Sequence, residues 1–266
     1  MAVLASFMVP HPPLIIPEIG RGSEECVAKT IDSYQRVADE IADLSPDTIV
    51  ISSPHSVMYS DYLHISPGNH AKGSFARFRA PKVRFEETYD SELVEEISRL
   101  AIECGLRAGT KGEREPELDH GTMVPLYFIR QKYTGGKIVR IGLSGLPYKD
   151  HYKLGQLVKE ATGRLGRRIV YVASGDLSHK LQESGPYGFI KEGPEYDAKL
   201  MEVCSRGALS ELLDFDEKFC DKAAECGHRS FIIMAGALDG MDIKPTVFSH
   251  EDTTGVGYGI VSFYPK

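Results

Sequence analysis

The sequence predicts an α/β fold over residues 1–266. It is read as one domain: a central, mostly parallel or mixed sheet flanked by helices, with an active-site crevice at the carboxyl ends of the strands. Two observations carry this expectation. Short apolar runs of strand length alternate with segments of helical periodicity. Three of those runs also stop at a histidine: residues 3–10 before His11, 48–54 before His55, and 168–178 before His179. Ligands of open α/β sheets bind beyond the carboxyl ends of the strands, so neighbouring strands would bring three imidazoles to one crevice. Imidazole is the commonest metal ligand and the usual general base near neutral pH. The pattern therefore predicts an enzyme with a metal site.

The elements follow in order. The opening strand ends at His11, where Pro12 and Pro13 block immediate helix formation and stiffen the turn. Ser23 and the acidic pair Glu24 and Glu25 form a helix start, and Val27, Ile31, Val37 and Ile41 carry an amphipathic helix onward. Residues 46–53 read as a buried strand and 62–65 as a further short one; the polar, glycine-containing stretch 67–81 reads as an excursion or flap. A capped helix is expected over 90–104. Strands are expected at 137–143 and 168–173, around a helix near 150–164. Segments 194–205 and 225–238 have helical patterns, and 254–264 reads as a last strand entered through a glycine-rich turn. No repeat, low-complexity tract or linker divides the chain.

Bulk properties narrow the function. Hydrophobic residues make up 42% and charged residues 26% of the 266, near globular averages, so a full core is available. The net charge of −7 and the lack of a Lys/Arg-rich run argue against nucleic-acid binding. No 18-residue apolar run or signal-peptide pattern is seen, so no membrane role is expected. The five cysteines are scattered without a CxxC pair, which fits free thiols in a reducing, cytoplasmic setting.

Chemistry concentrates in five places. His11 and His55 each follow an apolar strand directly, on proline-stiffened turns. Asp176 and His179 lie three residues apart beyond a strand end, where a carboxylate can orient an imidazole or raise its basicity. Asp119 and His120 precede Gly121, which permits close backbone approach to a ligand. Glu225, Cys226 and His228 offer three donors at the mouth of a helix. His64, His70, His151 and His250 lack this context and read as surface or packed residues, and Tyr148, Tyr187 and Tyr258 lie near turns that reach toward the crevice. No GxSxG elbow, phosphate loop or HExxH motif occurs.

This ordered set, from His11-Pro-Pro through Ser-Pro-His-Ser, Leu-Asp-His-Gly-Thr and Ser-Gly-Asp-Leu-Ser-His to Glu-Cys-Gly, resembles the class III extradiol ring-cleavage dioxygenases, the LigB-like family. The likeness covers essentially the whole chain and looks closest to the branch called AmmeMemoRadiSam system protein B, which is similar to Memo proteins. The resemblance implies a non-haem Fe(II) on His11, His55 and Glu225, with open positions for a small aromatic diol and O₂. It implies His179 as acid/base, supported by Asp176, and His120 as a hydrogen-bonding partner of substrate. A homo-oligomer is a further expectation by resemblance. In Memo-like proteins a cysteine takes the third ligand position, which makes Cys226 the alternative to Glu225; adjacent helical residues point about 100° apart and would not both ligate. With Cys226, Zn or Cu replaces Fe(II), and the role shifts to redox chemistry or partner binding linked to a radical-SAM system. A third reading is a metal-free hydrolase or lyase built on Asp176 and His179.

Overall fold

The computed structural model describes residues 2–266. Along the chain run β1 (Val3–Val9), α1 (Pro17–Gly20), α2 (Ala28–Leu44), β2 (Thr48–Ser53), β3 (Leu63–His64), β4 (His70–Phe75) and β5 (Ala80–Thr88). Then follow α3 (Ser91–Glu103), β6 (Ala108–Gly109), α4 (His120–Lys132), β7 (Lys137–Gly142), α5 (Tyr148–Leu165) and β8 (Ile169–Ser174). The chain ends with α6 (Glu192–Arg206), α7 (Glu217–Ala223), α8 (His228–Ala237), β9 (Ile243–Glu251) and β10 (Tyr258–Pro265).

Six strands form the central sheet in the order β7-β2-β8-β1-β10-β9. The first four are parallel, while β10 and β9 add antiparallel to the β1 edge. This is the mixed sheet the sequence predicts. Its central strands read as unbroken apolar runs because both faces are buried. Ala5, Phe7 and Val9 of β1, with Ile49, Ile51, Val170 and Val172, pack under α2 and α4. The alternate residues Met8, Val50, Tyr171 and Ala173 pack against α3, α5, α6 and α8. Because β8 lies between β1 and β2, the loops leaving these three strands emerge side by side.

Several elements depart from the sequence reading, four of them for a clear physical reason. The flap at 67–81 is a hairpin of β4 and β5 joined by a short 3-10 turn, and its second strand runs on to Thr88. Alternating charged residues and Pro81 hide that strand. The expected strand at 62–65 shrinks to two residues paired with β6. β9 carries no strand signal in the sequence because it is a half-exposed edge holding Pro245, where a missing N–H costs little. Helix α4 is apolar nearly all round and holds Pro125, both of which obscure its periodicity.

Burial also gives a pH prediction for folding. His151 on α5 is fully buried; its Nε2 faces the Ser144 N–H at 3.3 Å and its Nδ1 the Pro147 carbonyl at 3.2 Å. The Pro147 carbonyl takes the Nδ1 proton and the Ser144 N–H requires a lone pair on Nε2, so the ring is neutral with its proton on Nδ1. Desolvation pulls its pKa down to about 4. The unfolded chain therefore binds the extra proton first: this contribution to stability is intact above about pH 6.5 and is lost as pH falls toward 4. Between pH 7 and 5 the residue should account for about 2 kcal/mol of lost stability. Urea unfolding at the two pH values should show that difference shrink in His151→Gln; an unchanged difference would refute the assignment.

Candidate metal centre

Three loops build the site. His11 follows β1, His55 follows β2, and the segment Gly175–His179 follows β8, with Cys226 presented from the loop before α8. The structure thus brings His11, His55, His120, Asp176 and His179 to one crevice, bordering a cavity of about 320 Å³. The His11 and His55 Nε2 atoms stand 3.0 Å apart, and the Cys226 Sγ lies 3.6 Å from His11 Nε2. The three donor atoms all fall within 4.8 Å of one another.

The tautomer of His11 follows from its partners. A helical residue 125 would donate its N–H to the Gly121 carbonyl, but Pro125 has none. That carbonyl instead accepts from Ser174 Oγ at 2.5 Å. With its proton so used, Ser174 Oγ accepts from His11 Nδ1 at 2.9 Å. His11 Nε2 is left as a lone pair facing His55 and Cys226. Such a second partner is the usual way a protein fixes a ligating imidazole.

Electrostatics point the same way. Burial, reinforced by His55, holds His11 well below the usual histidine range, and burial also lowers His55. Burial, then His55 and His11, brings His120 to about 4. The rings are neutral donors at pH 7. The His120 ring lies over His55 with centroids 3.9 Å apart and meets the edge of Phe78. Desolvation pushes the Cys226 thiol well up, so without a cation it stays protonated.

Asp119 makes no hydrogen bond to His120 and only partly offsets, through its charge, the lowering of that ring's pKa. It caps α4, accepting from Thr122 N at 3.0 Å and from Ser53 Oγ at 2.5 Å. Asp176 does not orient His179 either: its Oδ1 accepts the His11 backbone N–H at 2.7 Å, and its Oδ2 stands 3.9 Å from His179 Nε2, beyond hydrogen-bond range. His179 is oriented by the Ala224 carbonyl, which takes its Nδ1–H at 2.6 Å and leaves Nε2 free toward the cavity.

Glu225 is not brought into the donor cluster. Its Oε2 accepts the His228 backbone N–H at 2.5 Å, and burial raises its carboxyl to about 7. His228 is fully buried, donating to the Leu212 carbonyl at 2.9 Å and packed against Phe215. Of the three tyrosines, Tyr187 and Tyr258 reach the cavity wall, whereas Tyr148 packs on His228. Cys226 is held by close backbone packing: a Cβ on Gly175 would meet the Gly227 Cα at 2.1 Å, so only glycine lets the two loops meet.

Two of the three donor separations match a bound metal ion, and the third lies within 4.8 Å. Metal–nitrogen and metal–sulfur bonds of about 2.1 and 2.3 Å, at tetrahedral to right angles, separate N/N pairs by about 3.0–3.4 Å and N/S pairs by about 3.1–3.6 Å. The 3.0 and 3.6 Å separations lie within those ranges. Sequence reasoning missed Ser53, Pro125 and Ser174 as contributors. Only Pro125, a proline inside a helix, leaves a signal in sequence.

Fold and crevice define an α/β protein with a histidine- and thiol-lined crevice, a candidate metal centre, at the carboxyl ends of a mixed sheet. The chain belongs to the family described as "Catalytic LigB subunit of aromatic ring-opening dioxygenase", whose model matches residues 5–261. It is 37% identical over 277 residues to Protein CA_C1420 of Clostridium acetobutylicum, covering 98% of this chain and 57% of that relative's length. It is 25% identical to the 2-aminophenol 1,6-dioxygenase beta subunit of a Pseudomonas species, over 98% of this chain and 93% of the other. It is 22% identical to 3,4-dihydroxyphenylacetate 2,3-dioxygenase of Escherichia coli, over 90% of each. The uncharacterised protein JW3007 from Escherichia coli K12 shares the fold, with a TM-score of 0.59, 14% identity and coverage of 97% and 99%. Among the described residues no helix is long and apolar enough to cross a membrane.

Proposed function

We propose that this chain is a metal-dependent oxidoreductase. A small catechol- or aminophenol-type aromatic binds beside His11, His55 and Cys226 and is cleaved by O₂ in the extradiol manner. The observation that carries the reading is the donor set of two neutral imidazoles and one thiol, with the free Nε2 of His179 on the same cavity. An iron(II) ion there would supply the electron chemistry that lets triplet O₂ react with a singlet aromatic, which no side chain provides.

The chain's own residues do the rest. His179 Nε2 takes the phenolic proton, with the Ala224 carbonyl stabilising the imidazolium through Nδ1–H. His120, neutral at pH 7, hydrogen-bonds the bound aromatic or its oxidised form. Leu14, Val256 and Tyr258 wall the cavity and limit water. A cytoplasmic setting, in keeping with the free cysteines, and self-association are parts of the same proposal.

A second reading is favoured by Cys226. A thiolate in place of a carboxylate suits Cu(I) or Zn, and the crevice then serves redox chemistry or partner binding tied to a radical-SAM system. Oxygen uptake by the Fe(II)-loaded protein decides between them. With catechol, 2-aminophenol and 3,4-dihydroxyphenylacetate as a panel, one O₂ consumed per coloured ring-opened product supports cleavage. No uptake with any of them rejects it and leaves the thiolate-centred role.

A further inference from the structure

We infer that Arg140 is a positioning residue of the metal centre, acting through Asp119 and Ser53 on His55, an inference that rests on reading His55 as a metal donor. Arg140 lies on β7, outside the crevice, and is the largest side chain buried to less than 2% exposure. An arginine inside a parallel sheet is costly unless every donor is used. Here two of the donations go to one segment. Nη1 donates to the Glu117 carbonyl at 2.6 Å and Nη2 to the Glu115 carbonyl at 2.8 Å. Nε donates to Ser66 Oγ at 2.7 Å. The guanidinium fork thereby ties the 113–119 loop to the sheet.

Its charge is spent on the same loop. The Glu113 Oε2 lies 3.6 Å and the Asp119 Oδ2 3.8 Å from the guanidinium. Asp119 is the loop's last residue and the cap of the helix that begins with His120. Its Oδ1 accepts the Ser53 hydroxyl at 2.5 Å, and the Ser53 oxygen accepts the His55 backbone N–H at 3.2 Å. A continuous path thus runs from Arg140 through Asp119 and Ser53 to the backbone of a donor residue. Arg140 compensates the Asp119 carboxylate, which lies close enough to His11 and His55 to act on them electrostatically. The fork matters as much as the charge, since an ammonium cannot hold two carbonyls and a hydroxyl in one plane.

The test is cobalt(II) titration of the full chain, followed by visible absorption and competition with a chelator. Arg140→Met should weaken Co(II) binding by about 10- to 100-fold and shift the Co(II) bands, as changes behind metal ligands do. Arg140→Lys, which keeps the charge, should recover only part of the loss. In an Asp119→Asn background the Arg140 effect should be at least about threefold smaller than in wild type, because the carboxylate its charge compensates is gone while the fork's contacts to the loop remain. If Arg140→Met does not fold, the same cycle is run with Arg140→Lys. Unchanged affinity and spectrum in a folded Arg140 variant, or additive effects with Asp119→Asn, would overturn the inference. A wild-type chain that takes up no Co(II) would overturn the metal reading itself and the inference with it.

Discussion

Cys226→Ser is expected to lose bound metal while Glu225→Gln keeps it. The Sγ of Cys226 stands 3.6 Å from His11 Nε2, whereas the Glu225 carboxylate is committed to the His228 N–H. Removing one of three donors should weaken binding by more than the 10- to 100-fold typical of residues behind the ligands. Elemental analysis after chelator challenge should therefore find metal in wild type and Glu225→Gln and less than about a tenth of it in Cys226→Ser. Glutamine keeps the oxygen that caps the helix start, so Glu225→Gln should cost at most about 1 kcal/mol of stability. The sign of the pH dependence is also fixed. The thiol's pKa is raised by burial and a ligating sulfur must be deprotonated, so each metal bound near pH 7 releases about one proton. The two histidines are already neutral there and release none. Affinity should fall about tenfold per unit as pH drops below 7, measured by titration in weak buffer. Metal lost from Glu225→Gln but kept in Cys226→Ser would restore the two-histidine, one-carboxylate centre.

The histidines were legible because the physics that buries β1, β2 and β8 on both faces also writes them as unbroken apolar runs, and a polar residue ending such a run stands at the sheet's edge. Their adjacency was not legible: β8 inserts between β1 and β2 only in three dimensions. The choice between Glu225 and Cys226 was equally hidden. It depends on the Gly175–Gly227 contact and on which side chain the helix start consumes. Partners also misled. Asp176 and Asp119 neighbour histidines in sequence, yet the carbonyl of Ala224 orients His179, and Asp119 serves Ser53 and the cap of α4. Backbone carbonyls carry no sequence signature, so the groups that fix tautomers here lie beyond pattern reading.

His179→Gln is expected to reduce turnover by about 100- to 10,000-fold while leaving metal content unchanged, the range for loss of a positioned acid/base. His179 lies outside the His11, His55 and Cys226 donor set, although it also clusters with Asp176 and Cys226, and its Nδ1–H is held by Ala224 at 2.6 Å. A glutamine amide can still donate to that carbonyl, so the loop should hold its place while the lone pair that accepts the phenolic proton disappears. The loss should fall on kcat and kcat/KM together, the pattern for a group used in the transition state, with KM nearly constant. A readout independent of turnover separates this from a packing defect. A chromophoric nitrocatechol bound anaerobically should show the doubly deprotonated spectrum in wild type and the singly deprotonated one in the variant. Added imidazole, small enough for the 320 Å³ cavity, should restore part of the rate. Identical nitrocatechol spectra in the two proteins would remove His179 as the proton acceptor. The base would then have to be His120, the remaining imidazole on this cavity outside the donor set, whose pKa near 4 makes it a poor one.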